Sequence, residues 1–184
     1  MEPAFKDVCR KAECFALMQK SCNKLLPCGH PCRGCAGETR CLPCLEPECI
    51  EKMEPSQQPK VNCDDFCTIC YATAVGQEPC VQLECGHVFH YECVLSLIQK
   101  RWNGPRMVFN YLDCPECKKQ ISCPSNPKIS AALKKELKLK EVVLKKAMER
   151  AKFEDLHKEP RLKKPGDPFF NDLQGYAMKR LSYY

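Results

Sequence analysis

Cysteine and histidine carry the chemistry that this sequence spells out. Between residues 67 and 117, eight of them fall in pairs: Cys67 and Cys70, Cys85 and His87, His90 and Cys93, Cys114 and Cys117. Two thiolates on one C-x2-C turn fill two corners of a zinc tetrahedron without strain, and two closed four-coordinate sites need eight ligands. With every corner a protein atom, such zinc is structural and leaves no open position to activate water. A second run offers ten more donors: Cys9, Cys14, Cys22, Cys28, His30, Cys32, Cys35, Cys41, Cys44 and Cys49. That exceeds what two sites require. The expectation is a zinc-binding finger, B-box-like or of nuclear-factor type, with two ions and its pairing left open. The alternative is a metal-poor tail with spare thiols. Cys63, Cys80 and Cys123 remain over and read as buried or spare thiols, with a part in a third site as the alternative.

The composition supports metal over disulfides. Eighteen of 184 residues are cysteine, which at that density is a framework. The opening Met1-Glu2-Pro3-Ala4-Phe5-Lys6-Asp7 has no apolar secretory segment, and no run of apolar residues is long enough to cross a membrane. A reducing compartment, cytoplasmic or nuclear, is expected, with thiolates on zinc. No Cys/His/Asn arrangement suggests a protease, and no Gly-rich phosphate loop is present.

The elements that must position these donors are short. Residues 9–49 form a Cys-rich module, 50–62 a polar, proline-bearing linker, and 63–123 the eight-ligand domain. Residues 127–157 read as one helix, capped by Asn126 with Pro127 at its first position. Ile129, Leu133, Leu137, Leu144, Ala147 and Ala151 follow a three-to-four spacing, and Glu159-Pro160 is the expected stop. About 30 helical residues span roughly 45 Å, so part of this stripe must pack on the eight-ligand domain or on a partner. Residues 158–184 form a linker-like C-terminal segment. The expected class is a small zinc-stabilised α+β fold: a Cys-rich module, the eight-ligand domain and a long C-terminal helix.

Charge is uneven. Residues 1–127 hold 14 Lys/Arg and 15 Asp/Glu, whereas 128–164 hold 13 and 6, a net of +7. A basic arm behind zinc fingers would attract nucleic acid. Here Glu136, Glu141, Glu149 and Glu154 are interspersed among the lysines, as on a solvated helix face, and aromatic interleaving is lacking. Nucleic acid is therefore not the expected partner.

The ligand order C-C-C-H-H-C-C-C, with histidines fourth and fifth, resembles the RING-H2 pattern. The resemblance implies a cross-brace, one zinc on Cys67, Cys70, His90 and Cys93 and the other on Cys85, His87, Cys114 and Cys117. Spacing alone leaves a sequential layout open. The resemblance also implies a shallow groove for a ubiquitin-conjugating enzyme charged with ubiquitin. Ile69 would be the contact of the first loop and Pro115 of the second. The helix would begin after Cys93, with Val94, Leu95, Leu97, Ile98 and Trp102 as its apolar positions. Lys118 would stand where many RING domains carry a cation touching both ubiquitin and the conjugating enzyme; where arginine stands there, it forks to two partners, which lysine cannot. The alternatives are core packing for Ile69 and Trp102 and a solvated charge for Lys118.

A closer likeness follows. Cys85-Gly86-His87-Val88-Phe89-His90, Arg101-Trp102-Asn103-Gly104-Pro105-Arg106 and Cys114-Pro115-Glu116-Cys117-Lys118 resemble the RING of the Pam/Highwire family, the RING-Cys-relay ubiquitin ligases. Lys146-Ala147-Met148-Glu149-Arg150, Gly166, Phe170-Asn171-Asp172 and Gly175-Tyr176-Ala177-Met178 are similar to that family's linker region. The family implies a following module whose two cysteines relay ubiquitin to a threonine or serine. Here no cysteine follows Cys123, so those cysteines map to no residue of this sequence. The expected function is a RING-type ubiquitin-protein ligase, or the recruiting piece of a relay ligase. The alternatives are a non-catalytic zinc scaffold and a nucleic-acid-binding zinc protein.

Overall fold

The computed structural model describes residues 11–102 and 104–181. Cys9 and Asn103 lie outside them. The fold is the expected small Cys/His-rich one, with a two-stranded antiparallel sheet and one long helix.

Helix α1 (Ala12–Lys20) lies on the surface and buries none of its residues. Its end is tied to the rest by an ion pair from Lys20 to Glu92 at 2.7 Å. Both partners are about half exposed, so the pair is screened by solvent and adds little to stability. Helix α2 (Pro47–Ile50) is a single turn with proline at its start.

Strand β1 (Cys80–Gln82) pairs with β2 (Val88–His90), Cys80 opposite His90, Val81 opposite Phe89 and Gln82 opposite Val88. Five of these six residues are buried, with only Gln82 partly exposed. Helix α3 (Tyr91–Lys100) follows β2 directly. It begins before Cys93, not after it, so His90 and Cys93 stand on a strand end and the first helical turn that follows. It ends before Trp102, because Arg101 takes a left-handed φ of +56°.

Helix α4 (Pro127–Phe153) starts where its cap predicts: the Asn126 side chain accepts from the Ile129 amide at 3.1 Å. It closes at Phe153 rather than 157, because Asp155 turns left-handed at φ +55°. Ile129 and Leu133 enter the main core, whereas Ala151 joins Leu156, Leu162, Tyr176 and Ala177 in a second small core. Helix α5 (Leu173–Leu181) supplies the last two of these. Asn126 is 3% exposed and also hydrogen-bonds the Glu38 carboxylate, whose pKa burial pushes up. Asn126→Ala is expected to cost about 2 kcal/mol, from the lost cap and a half-satisfied carboxylate. A melting curve should fall by several degrees.

The Cys-rich module and the eight-ligand domain share one core. Cys32, Cys35, Leu42 and Leu45 pack in the same cluster as Val75, Val81, Phe89 and Ile121. Backbone bonds join them: Cys80 N to Arg33 O at 2.8 Å, Cys63 N to Leu45 O at 2.8 Å and Thr39 N to Ser125 O at 2.9 Å. Between them, Pro59 is buried and Val61 packs on that core. No helix of the described residues is long and apolar enough to cross a membrane.

Candidate metal centres

The eight donors of residues 67–117 gather into two groups of four. Cys67, Cys70, His90 and Cys93 form one, and Cys85, His87, Cys114 and Cys117 the other, with all donor atoms of a group within 4.8 Å of one another. The first and third pairs thus meet across the second and fourth, which is the cross-brace and not the sequential layout. Zn–S of about 2.3 Å and Zn–N of about 2.0 Å at a tetrahedral angle put sulfur and nitrogen about 3.5 Å apart. His90 Nδ1 lies 3.6 Å from Cys70 Sγ and 3.8 Å from Cys93 Sγ. His87 Nδ1 lies 3.4 Å from Cys85 Sγ and 3.6 Å from Cys114 Sγ. The donor sets fit zinc.

Local backbone explains the fit. In the C-x2-C turns at 67–70 and 114–117 the residue after the second cysteine is left-handed, Tyr71 at φ +52° and Lys118 at φ +59°. That bend returns their amides to the first cysteine of each turn, Tyr71 N to Cys67 O at 2.8 Å and Lys118 N to Cys114 O at 2.9 Å. His90 Nε2 meets the Ala74 carbonyl at 3.1 Å, which makes that nitrogen the N–H and leaves Nδ1 for metal. Burial alone would push the Cys67 thiol up; hydrogen bonds from His90 and the Ile69 and Cys70 amides outweigh it and bring it down to about 6. A thiol held low gives up its proton to zinc more readily.

The N-terminal donors also group. Cys28, His30, Cys44 and Cys49 form a third set, and Cys22, Cys32 and Cys41 a fourth. His30 Nδ1 stands 3.7 Å from Cys44 Sγ and 3.3 Å from Cys49 Sγ, the latter carried on α2. These two sets interleave along the chain as the other two do. No group of described residues includes Cys14, which sits on α1. Cys35 is buried outside the groups and donates to the Cys80 carbonyl at 3.4 Å. Burial pushes the Cys32 thiol up to about 11, while the Gly34 amide donates to its sulfur at 3.4 Å.

One signal for the third set was present in the sequence. Leu26-Pro27-Cys28-Gly29-His30 repeats the pattern of Leu83-Glu84-Cys85-Gly86-His87. The two segments fold alike. Both glycines have φ +86°, where a Cβ would be strained. Gly29 N bonds Leu26 O and Gly86 N bonds Leu83 O, both at 2.8 Å. Leu26 N bonds His30 O and Leu83 N bonds His87 O, both at 2.9 Å.

The leftover thiols lie outside every group. Cys80 Sγ donates to Val75 O at 3.0 Å, Cys123 Sγ to Gln82 O at 3.6 Å and Cys63 Sγ to Glu46 at 3.3 Å.

The remaining sequence candidates surround the two loops. Ile69, Pro115 and Trp102 are each half-buried. Lys118 is exposed, and its Nζ donates to the Pro115 carbonyl at 2.6 Å. One group escaped the sequence reading. Glu136, expected on a solvated helix face, is 5% exposed. Arg101 donates to it through Nε at 2.9 Å and a terminal nitrogen at 2.8 Å, and the Tyr111 hydroxyl donates at 2.9 Å. Burial alone would raise the Glu136 carboxyl; these donors outweigh it and hold it below its ordinary value. The available signal was register: Ile129, Leu133 and Glu136 fall on one helical stripe.

Comparison with known proteins agrees with this geometry. Residues 65–118 match the family model of the RING finger domain. The chain is 38% identical over 181 residues to the E3 ubiquitin-protein ligase MYCBP2 of Danio rerio, covering 98% of this chain and 4% of that protein. It is 39% identical over 184 residues to the E3 ubiquitin-protein ligase highwire of Drosophila melanogaster, covering 97% of this chain and 3% of that protein. The chain therefore spans only a small part of the length of these relatives.

Proposed function

We propose that this chain, whose residues 65–118 match the RING finger domain and which is similar to two E3 ubiquitin-protein ligases, recruits a ubiquitin-conjugating enzyme charged with ubiquitin and promotes ubiquitin transfer. The observation that supports this most is the cross-braced pair of four-donor groups. It fixes the two C-x2-C loops that carry Ile69 and Pro115, while leaving both side chains partly accessible.

The chain's part is binding and orientation. In the transfer, an amine or hydroxyl of the acceptor attacks the thioester carbonyl, the C–S bond breaks and the conjugating enzyme keeps the thiolate. No residue of this chain is assigned as a nucleophile, and the relay step implied by the family likeness is assigned to none. Ile69, Pro115 and Trp102 are the apolar contacts for the conjugating enzyme. Lys118 braces the second loop through Pro115 O, and its ammonium keeps two further N–H donors for a charged partner.

The direct test is titration of isotope-labelled, zinc-loaded chain with a panel of conjugating enzymes, followed by NMR. Shifts should centre on Ile69, Trp102 and Pro115, and Ile69→Ala should weaken affinity about ten-fold or more, as for a central interface anchor. Shifts confined to the basic face of α4 would contradict the assignment.

A further inference from the structure

We propose that Glu136 is a positioning residue for conjugating-enzyme binding, acting from α4 through Arg101 and Tyr111 to set Trp102. The inference rests on the partner-face reading of Trp102 above and extends it to a residue on another element.

Three observations converge. First, α3 closes at Lys100 and Arg101 takes a positive φ of +56°, so the chain turns sharply just before Trp102. Nothing in the side chain of arginine favours that backbone. The bidentate grip of Glu136 on its guanidinium secures the turn from outside. A planar two-point pair fixes orientation as well as distance. Second, Trp102 sits in an aromatic trio with Phe109 at 6.2 Å and Tyr111 at 6.3 Å between ring centroids. The Arg101 guanidinium lies 5.9 Å from the indole centroid. Both members of the set that Glu136 binds, Arg101 and Tyr111, therefore border Trp102. Third, among the described residues the hydrogen bonds to the Glu136 carboxylate come from Arg101 and Tyr111. It interrupts the apolar stripe of α4 between residues that pack in the core, and a leucine there would bury more apolar surface. A carboxylate kept at such a position and fully satisfied by donors specifies one arrangement of its neighbours.

The consequence is that α4 is more than a connector. Its register over the RING domain fixes how Trp102 is offered to a partner, because one carboxylate joins the helix to both neighbours of the indole.

The test uses the full chain and the panel member it binds best. Trp102 is the only tryptophan, so its emission reports on this site alone. Glu136→Gln keeps the volume and removes the charge. It should shift and broaden the emission, weaken conjugating-enzyme affinity about five- to ten-fold and leave zinc content unchanged. On a Trp102→Ala background it should weaken binding no further, since the route through Trp102 is already gone. Should Glu136→Gln lose zinc or fail to fold, Tyr111→Phe removes only one of the donors. It should then give a smaller loss of affinity that also vanishes on the Trp102→Ala background. Equal losses with and without Trp102, or an unchanged affinity beside an altered emission, would overturn the inference. Trp102→Ala binding as well as the unaltered chain would instead overturn the partner-face reading, and the inference with it.

Discussion

Cys114→Ser is expected to cost the RING domain both of its zinc ions, not one. Cys114 is 0% exposed, and its amide closes the loop by donating to Lys119 O at 2.7 Å. A structural zinc site contributes on the order of 10–16 kcal/mol at neutral pH, whereas a whole small domain is stable by about 5–15. Losing one ligand of four therefore removes enough to unfold the domain. The cross-brace transmits the loss: the second site ties Cys85 and His87 to Cys114 and Cys117, and His90 of the first site lies only three residues beyond His87. Native mass spectrometry should show two fewer ions than the parent chain, together with loss of conjugating-enzyme binding. Retention of the first-site zinc in a folded sample would contradict the interleaved arrangement.

Leu45→Ala is expected to destabilise the RING domain although Leu45 lies outside it. Leu45 is 1% exposed and sits in the core cluster shared with Val75, Val81 and Phe89. Its carbonyl receives the Cys63 amide at 2.8 Å, at the entry to the RING. Truncating a buried leucine to alanine costs about 2–5 kcal/mol, a large share of the stability of a domain this size. Every zinc ligand remains, so zinc content should stay constant at low temperature. Denaturation followed by Trp102 emission, a reporter on the far side of the sequence, should show a lower midpoint. An unchanged Trp102 transition would mean that the Cys-rich module folds independently of the RING.

The sequence was legible where spacing alone carries the constraint. The eight donors of residues 67–117 stand out by their order, although which pairs come together was settled only by the fold, and the Asn126-Pro127 start of α4 is a local signal that the structure reproduces. The Cys-rich module was less legible because it offers more donors than corners. Which thiol joins a group depends on how the chain doubles back: Cys35 is drawn into the shared core by its bond to Cys80 O, while Cys32, three residues earlier, joins Cys22 and Cys41. The L-x-C-G-H repeat would have placed Cys28 and His30 together. Glu136 was misread because a glutamate among lysines fits a solvated face by composition; only its register with Ile129 and Leu133 pointed inward. Positive-φ residues at Arg101 and Asp155 close α3 and α4 earlier than expected; arginine carries no signal for such a backbone, and aspartate, though enriched there, adopts it too rarely to place a helix end by itself.

The most direct test of the account is a single-turnover discharge assay. A panel of conjugating enzymes loaded with ubiquitin is mixed with the zinc-loaded chain, with free lysine and free threonine as separate acceptors. Loss of the thioester should accelerate with at least one enzyme, and Ile69→Ala and Cys114→Ser should each abolish the acceleration. Thioester that is neither bound nor discharged across the panel, by a folded and zinc-replete sample, would contradict it.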